Sequence, residues 1–457
     1  MRWPARWRDP STVALVRNTP INCLVLDWAR SEGRTALFPL IERGRRDGLM
    51  FAGLTDAKTD KADADASATA AGLSALILPD PPTGSDVPLI PLVDRSGVRR
   101  RLAGPVLAVT GNVWPRVRLS PTGSTDSADA GPTGIPWVDS NGWFIRVAKT
   151  LAPAKPIWVF ADPPAGEGTA PAESYVRAAA DTAVSGGRWV VSLHDELAAA
   201  LARGDGQALS TWKRITGTLS FFEKHREWLS YQPAGLLAVL SDFSGPNQFL
   251  STETVNLLSR RHLPFRLVDK SNPAPAAVEG LKAILYTDQD PPPPSLRKTL
   301  DAWVEAGGLL ISPIAGAGLA SGLQPSGQAY ARFRFCTLGK GHVAAGREDV
   351  TDPFVLATDA HTLLSRTNDL VRAFNAGTTN SFCLTSPDGR RSVVHIVNYV
   401  RQPAKDISLL VRAPYGSARF WTLESERPVP LKPILEGGER ELRLPPIPVY
   451  AAVELEK

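Results

Sequence analysis

The sequence predicts an α/β protein: a (β/α)8-like barrel, then a flavodoxin-like doubly wound domain, then a small antiparallel β-sandwich. Three observations predict it. The first 200 or so residues carry a series of apolar runs that each end in a polar or acidic residue. Residues 234–313 carry further strand–helix repeats with short connections. After residue 377 the apolar segments shorten and are parted by Pro, Gly and charged turns. At 457 residues the chain exceeds what one hydrophobic core supports. The composition shifts divide it into residues 1–230, 231–376 and 377–457.

The barrel runs are CLVLDW (Cys23 to Trp28), LMFAGLTD (Leu49 to Asp56), LSALILPD (Leu73 to Asp80), GPVLAVTGN (Gly104 to Asn112), IPWVDSN (Ile135 to Asn141), PIWVFAD (Pro156 to Asp162) and RWVVSLHDE (Arg188 to Glu196). A buried parallel strand reads as a continuous apolar run, and α/β folds place their chemistry at strand C-terminal ends. Helix patterns follow at residues 33–47, 64–71, 142–151, 173–185 and 196–201, and Gly186-Gly187 stops one of them as a C-terminal glycine does. Counted in chain order, Gly104 to Asn112 is the fourth run and Arg188 to Glu196 the seventh. No clear run supplies an eighth strand; Thr211 to Phe222 is the candidate. SPTGSTDSADAGPTG (Ser120 to Gly134) reads as a flexible insertion.

In the second part, strands are expected at Ala234 to Ser244, Pro264 to Asp269, Leu281 to Asp288 and Leu309 to Pro313. Helices are expected at Thr252 to Arg260 and Ser295 to Ala306, with a helical link from Val355 to Ala376. The third part gives strands at Ser392 to Val400, Asp406 to Pro414, Gly416 to Glu424, Arg440 to Ile447 and Val449 to Glu456.

The formal charge of +5 is mild for this length. The basic clusters at Arg43, Arg45, Arg46 and at Arg99, Arg100, Arg101 read as solvated faces, so no nucleic-acid partner is expected. Cys23, Cys336 and Cys383 are far apart and form no Cys-x-x-Cys pair. Metal-ligand spacings, a P-loop and a Gly-x-Gly-x-x-Gly run are absent, so no metal and no cofactor are expected. No apolar run reaches membrane-spanning length, and MRWPARWRDP lacks a signal-peptide core. The chain therefore reads as cytoplasmic with no membrane partner, or as exported if a leader has been removed.

The strand tips supply the candidate chemistry. Asp139 stands between Trp137 and Trp143 and beside Asn141, combining a carboxylate, an amide and ring faces of the kind that hold a sugar. Asp162, Asp80 and Asp27 end other runs, and Trp28 follows Asp27 directly. His194, Asp195 and Glu196 form the densest polar group, and Asn112 with Trp114 supplies a further amide and ring. The plainer reading of such acids is helix capping.

HREWLSYQPAGLLAVLSDFS, LLSRRHLPFRLVD, LKAILYTDQ, LDAWVEAGGLLISP and VVHIVNY resemble the later segments of glycoside hydrolases of the β-galactosidase-like class. The resemblance implies a catalytic barrel, a middle domain of glutamine-amidotransferase type without amidotransferase chemistry, and a C-terminal sandwich. It also implies a homo-oligomer formed through the middle domain. Such enzymes carry an acid/base glutamate after strand four and a nucleophile glutamate after strand seven. By run count, strand four ends in AVTGNVW, with Asn112 and no glutamate, and strand seven offers Glu196. The resulting expectation is hydrolysis of a β-linked sugar by paired carboxylates drawn from Asp139, Asp162 and Glu196. Asp27, Trp28, Asp80, Asn112, Trp114, Trp137, Asn141, Trp143, His194 and Asp195 are expected to line the carbohydrate site. The alternative is a non-catalytic carbohydrate-binding or structural relative.

Overall fold

The computed structural model describes every residue except 82–83, 101–103, 119–136, 165–169, 272, 274, 413 and 437–438. The Ser120 to Gly134 insertion therefore lies outside the described residues. The chain forms two compact units, residues 1–116 with 139–229, and residues 117–138 with 230–457.

In the first unit seven strands lie side by side in chain order: Cys23–Asp27, Met50–Leu54, Ala75–Leu78, Leu89–Asp94, Leu107–Thr110, Ile157–Phe160 and Arg188–Val190. All neighbouring pairs are parallel. The N-terminal residues join the two edges. The Arg2 amide donates to Val191 O at 2.8 Å on one side. On the other side Val25 N donates to Met1 O and Trp3 N to Val25 O, each at 2.8 Å. Arg2 is thus a parallel bridge partner of Val25. Residues 1–3 hold the first of eight barrel positions, and the seven strands hold positions two to eight.

Side-chain alternation sorts the strands into two faces, as a closed sheet requires. Val25, Ala52, Ala75, Ile77, Ile90, Ala108, Phe160 and Val190 pack together inside the ring. Leu24, Leu26, Phe51, Leu76, Leu78 and Trp189 pack outward with helical residues such as Ile41, Ala68 and Tyr175. The covering helices are α1 (Phe38–Arg46), α2 (Lys61–Ala71), α3 (Gly142–Leu151), α4 (Ala172–Val184), α5 (Asp195–Ala202) and α6 (Gly206–Lys224). α2 starts because the Asp60 carboxylate accepts from Ala62 N and Asp63 N, and it stops at Gly72, whose φ of +66° few other residues adopt.

Three expectations are corrected here. Thr211 to Phe222 is no strand: it lies within α6, where Asp205 accepts from Ala208 N and Ala208, Trp212, Ile215 and Phe222 are buried at helical spacing. Leu89–Asp94 is a barrel strand that the run count omits, so Leu107–Thr110 is sixth and Arg188–Val190 eighth. Val138–Asp139 pairs with Arg116–Val117 in a separate two-stranded ribbon and takes no place in the ring.

The second unit contains a seven-stranded sheet. Its parallel part runs Phe265–Asp269, Leu237–Ser241, Ala283–Tyr286, Leu309–Ser312 and Gly341–Gly346. Phe333–Leu338 and Gln324–Tyr330 continue it in antiparallel fashion. Strand order reverses between Leu237–Ser241 and Ala283–Tyr286, the crevice position of doubly wound sheets. Helices α7 (Gln248–Arg260), α8 (Pro294–Glu305) and α9 (Pro353–Leu364) belong to this unit. The expected helical link ends at Leu364, and Val371–Phe374 is a strand. Cys336 is buried within Phe333–Leu338, not on a strand-to-helix turn.

The remaining strands form a six-stranded and a four-stranded antiparallel sheet. Between them lies a core of Ile396, Leu409, Phe420, Leu442 and Val453, among others.

Candidate active site

The C-terminal ends of the barrel strands define the working face. At position seven Asp162 follows Phe160 by two residues. The Arg2 guanidinium donates to its Oδ1 at 2.5 Å, and the Ser192 hydroxyl donates to the same oxygen at 3.1 Å. Oδ2 takes no hydrogen bond among the described residues. The Asp162 side chain is 67% exposed and that of Arg2 40%, so the pair faces solvent. An exposed ion pair adds little to stability. Its consequence is geometric: it orients one carboxylate at the barrel mouth.

At position four Asp80 is exposed two residues beyond Leu78, and Lys61 Nζ donates to its main-chain oxygen at 2.6 Å. At position two Asp27 is exposed and accepts from Ala29 N at 3.1 Å, a local turn. Trp28 is 0% exposed. Its Nε1 donates to Ser67 Oγ at 3.1 Å, and the Arg34 guanidinium lies 5.6 Å from its ring centroid. Trp28 is therefore a core residue with no ring face open to a sugar, contrary to expectation.

At position six Asn112 donates to Val109 O at 2.7 Å and to Phe160 O at 2.9 Å, bracing the sixth and seventh strand ends. Its Oδ1 is buried without a hydrogen bond. Trp114 packs edge-on against Tyr175 at 5.4 Å and Trp189 at 5.7 Å, and its ring lies 6.5 Å from His194. His194 N donates to Tyr175 Oη at 3.1 Å, while His194 Nε2 is buried and unpartnered. Burial pushes the Tyr175 phenol up to about 12, so it stays protonated. This aromatic group is real, but its members are buried rather than open platforms.

Asn141 is spent on the backbone. Its amide donates to Val113 O at 2.8 Å and its Oδ1 accepts from Val113 N at 3.0 Å. Its own N donates to Asp181, which is 0% exposed and also accepts from Ser140 Oγ. Asn141 is a brace, not a free sugar ligand. Trp143 is half-buried on α3 against Phe144. Asp139 is half-buried in the ribbon and starts the return to the first unit. Trp137 belongs to the second unit, where the Arg118 guanidinium lies 5.6 Å from its ring centroid. Asp195 and Glu196 are exposed in the first turn of α5, where the helix dipole favours acids, and Arg6 lies 3.6 Å from Asp195.

The recorded bonds thus bring Asp162 together with Arg2 and Ser192, and His194 with Trp114 and Tyr175. Sequence reasoning missed Arg2 and Ser192. Arg2 has meaning only once residues 1–3 are known to be barrel residues. Ser192 sits one period-2 step from Val190, an inward-facing position that gives the serine its direction.

A pocket at the opposite end of the barrel is lined by Cys23, Trp158, Arg188, Trp189 and Phe222. It lies at strand N-terminal ends, away from the acidic tips. Among the described residues, the carboxylates close enough to share a metal ion are Asp242, Asp288 and Asp290 of the second unit. Lys270 Nζ lies between two of them, 3.0 Å from Asp288 and 2.5 Å from Asp290. Burial pulls this ammonium down, but hydrogen bonds to Asp290, Tyr286 and Asp288 outweigh it and hold it above the ordinary lysine value.

No family model matches the chain, and no curated protein does. Solved structures do. Alpha-L-fucosidase isoenzyme 2 from Paenibacillus thiaminolyticus matches over 98% of this chain and 96% of its own, with a TM-score of 0.58 and 12% identity. The rhamnosidase from Novosphingobium sp. PP1Y gives a TM-score of 0.48 at 12% identity, covering 93% of this chain and 39% of that one. Gan42B, a GH42 beta-galactosidase from G. stearothermophilus, gives 0.41 at 11% identity, covering 93% and 66%. The fucosidase match runs along nearly the whole of both chains. The chain shares its fold with that fucosidase structure. In the described residues no helix is long and apolar enough to cross a membrane.

Proposed function

We propose that the protein is a glycoside hydrolase whose paired carboxylates are Asp162 and Asp80. One observation carries this reading: with residues 1–3 in the ring, the strand four of the resemblance is Ala75–Leu78 and its strand seven is Ile157–Phe160. Each of these two strands is followed at its second residue by an aspartate. Gly104 to Asn112 is then not the fourth strand, and aspartates stand at both places where the resemblance implies glutamates. Asp139 follows the sixth position and Glu196 the eighth, where the rule asks for no catalytic acid.

Glycoside hydrolysis needs one carboxylic acid to protonate the leaving oxygen. It needs a second carboxylate as nucleophile, or as base for water. Position assigns Asp80 the donor's place and Asp162 the second. The substrate is a glycoside; the sequence resemblance argues for a β-linked sugar, and the fucosidase likeness adds α-L-fucosides to the panel.

The test is turnover of aryl β-galactosides, β-glucosides and α-L-fucosides by the protein and by D162N, D80N, D139N and E196Q. D162N and D80N should each lose roughly 10²–10⁴-fold in kcat, with melting temperatures unchanged. D139N and E196Q should stay near the parent rate. Sugar binding without turnover by the parent protein would replace this reading with a carbohydrate-binding one.

A further inference from the structure

We infer that Arg2 is a positioning residue for Asp162: it fixes Oδ1 and presents Oδ2 as the working oxygen. The inference rests on the reading of Asp162 as a catalytic carboxylate. Its own support is independent of strand order. The Arg2 guanidinium donates to Asp162 Oδ1, and the hydroxyl of Ser192, two residues beyond Arg188–Val190, donates to the same oxygen. Both donors converge on Oδ1, which leaves Oδ2 with no partner among the described residues and facing solvent.

The arrangement divides the labour between the two acids. A carboxylate whose one oxygen is anchored by a guanidinium and a hydroxyl is held in one orientation. That suits attack on an anomeric carbon, or removal of a proton from water, through the remaining oxygen. In the first case a bond forms from Oδ2 to the anomeric carbon as the bond to the leaving oxygen breaks. That leaving oxygen takes its proton from the other acid, and water later releases the sugar. Asp162 is thus the nucleophile or base, and Asp80 the proton donor. Ser192 is 6% exposed, so its hydroxyl is not available to solvent and serves the anchoring.

The backbone of Arg2 closes the ring through its N–H, which side-chain replacement leaves intact. R2M, R2K and S192A can therefore be compared on a folded protein, with thermal melts as the check. The measurement is kcat and KM separately on whichever aryl glycoside the parent protein turns over fastest, with D162N alongside. R2M should lower kcat by roughly 10²-fold while KM stays within about threefold. R2K should restore part of the rate. S192A should cost less than R2M.

An inactive D162N beside an R2M with parental kcat would overturn this inference and leave the catalytic reading standing. An R2M defect confined to KM would overturn it as well, since it would mark Arg2 as a substrate contact. A D162N with parental activity would overturn the catalytic reading itself. If R2M fails to fold, R2K and S192A decide: parental kcat in both contradicts the inference.

Discussion

The Arg2 amide donates to Val191 O at 2.8 Å, and this bond joins the eighth barrel strand to the segment that holds position one. The order of the eight barrel positions follows from it. Without that segment the sheet has two open edges, Cys23–Asp27 and Arg188–Val190. With it, the acids fall into register as Asp80 on four and Asp162 on seven.

Closure itself can be measured. R2P deletes the N–H that reaches Val191 and should destabilise the first unit by about 1–3 kcal/mol. R2M keeps that bond and should melt close to the parent. Thermal denaturation of the pair separates the backbone role of this residue from its side-chain role. Equal melting of R2P and R2M would show that the bond does not hold the ring.

Trp28 gives a second prediction. It is fully buried, and its indole N–H is used by α2. W28A should cost about 3–5 kcal/mol in urea denaturation. A variant of parental stability with weakened sugar binding would return Trp28 to the substrate site.

Stability should also depend on pH through His262. Burial, chiefly, pulls this imidazole down to about 4; its bond to Ala376 O opposes the shift and Arg260 adds to it. Its nitrogens lie 3.1 Å from Ser381 Oγ and 3.1 Å from Ala376 O. The folded value lies below the ordinary 6.5, so the unfolded chain binds the proton first. The contribution is complete above about 6.5 and is lost as pH falls toward about 4. It amounts to roughly 3 kcal/mol. Urea midpoints at pH 7, 5.5 and 4.5 should fall more steeply for the parent than for H262N. Parallel curves would contradict this.

The Lys270–Asp288 pair sits at the crevice of the doubly wound sheet. Asp288 is 0% exposed and also accepts from Ser241 Oγ and Asp242 N. Burial raises its carboxyl, with Ser241 and Lys270 working against that. K270M strands this acid and should cost about 3–5 kcal/mol. K270M with D288N should cost less than the two single losses summed, a coupling that a denaturation cycle reads directly. Additive losses would mean the two groups do not interact.

Much of the fold was legible because the barrel strands are buried on both faces and read as unbroken apolar runs. α4 announced itself by Gly186. What escaped had physical reasons. Met1, Arg2 and Trp3 are too few to show a period, and their partners lie at Val25 and Val191. Leu89–Asp94 carries Pro91, a residue that discourages a strand reading, although it pairs in parallel register with Leu78. In α6 the β-branched and aromatic residues of Thr211 to Phe222 favour a strand on propensity. The Asp205 cap and the burial of Trp212 and Ile215 on one helical face decide for helix.

The candidate site shows the same division. Asp162 and Asp80 stood out as run-ending acids, but their ordinals did not, because two strands were missing from the count. Asn141 looked like a sugar ligand by composition, and its contacts with Val113 use it up. Arg2 belongs to the site only through a contact spanning 160 residues, which no local pattern encodes.

The most direct test of the central claim is the turnover of an activated aryl glycoside by D162A, with and without added azide. A small anion can occupy the space of a missing nucleophilic or basic carboxylate and take over its attack. The expected result is an active parent, an inactive D162A, and azide-dependent recovery with a glycosyl azide as product. A D162A that hydrolyses the glycoside at the parental rate would contradict it.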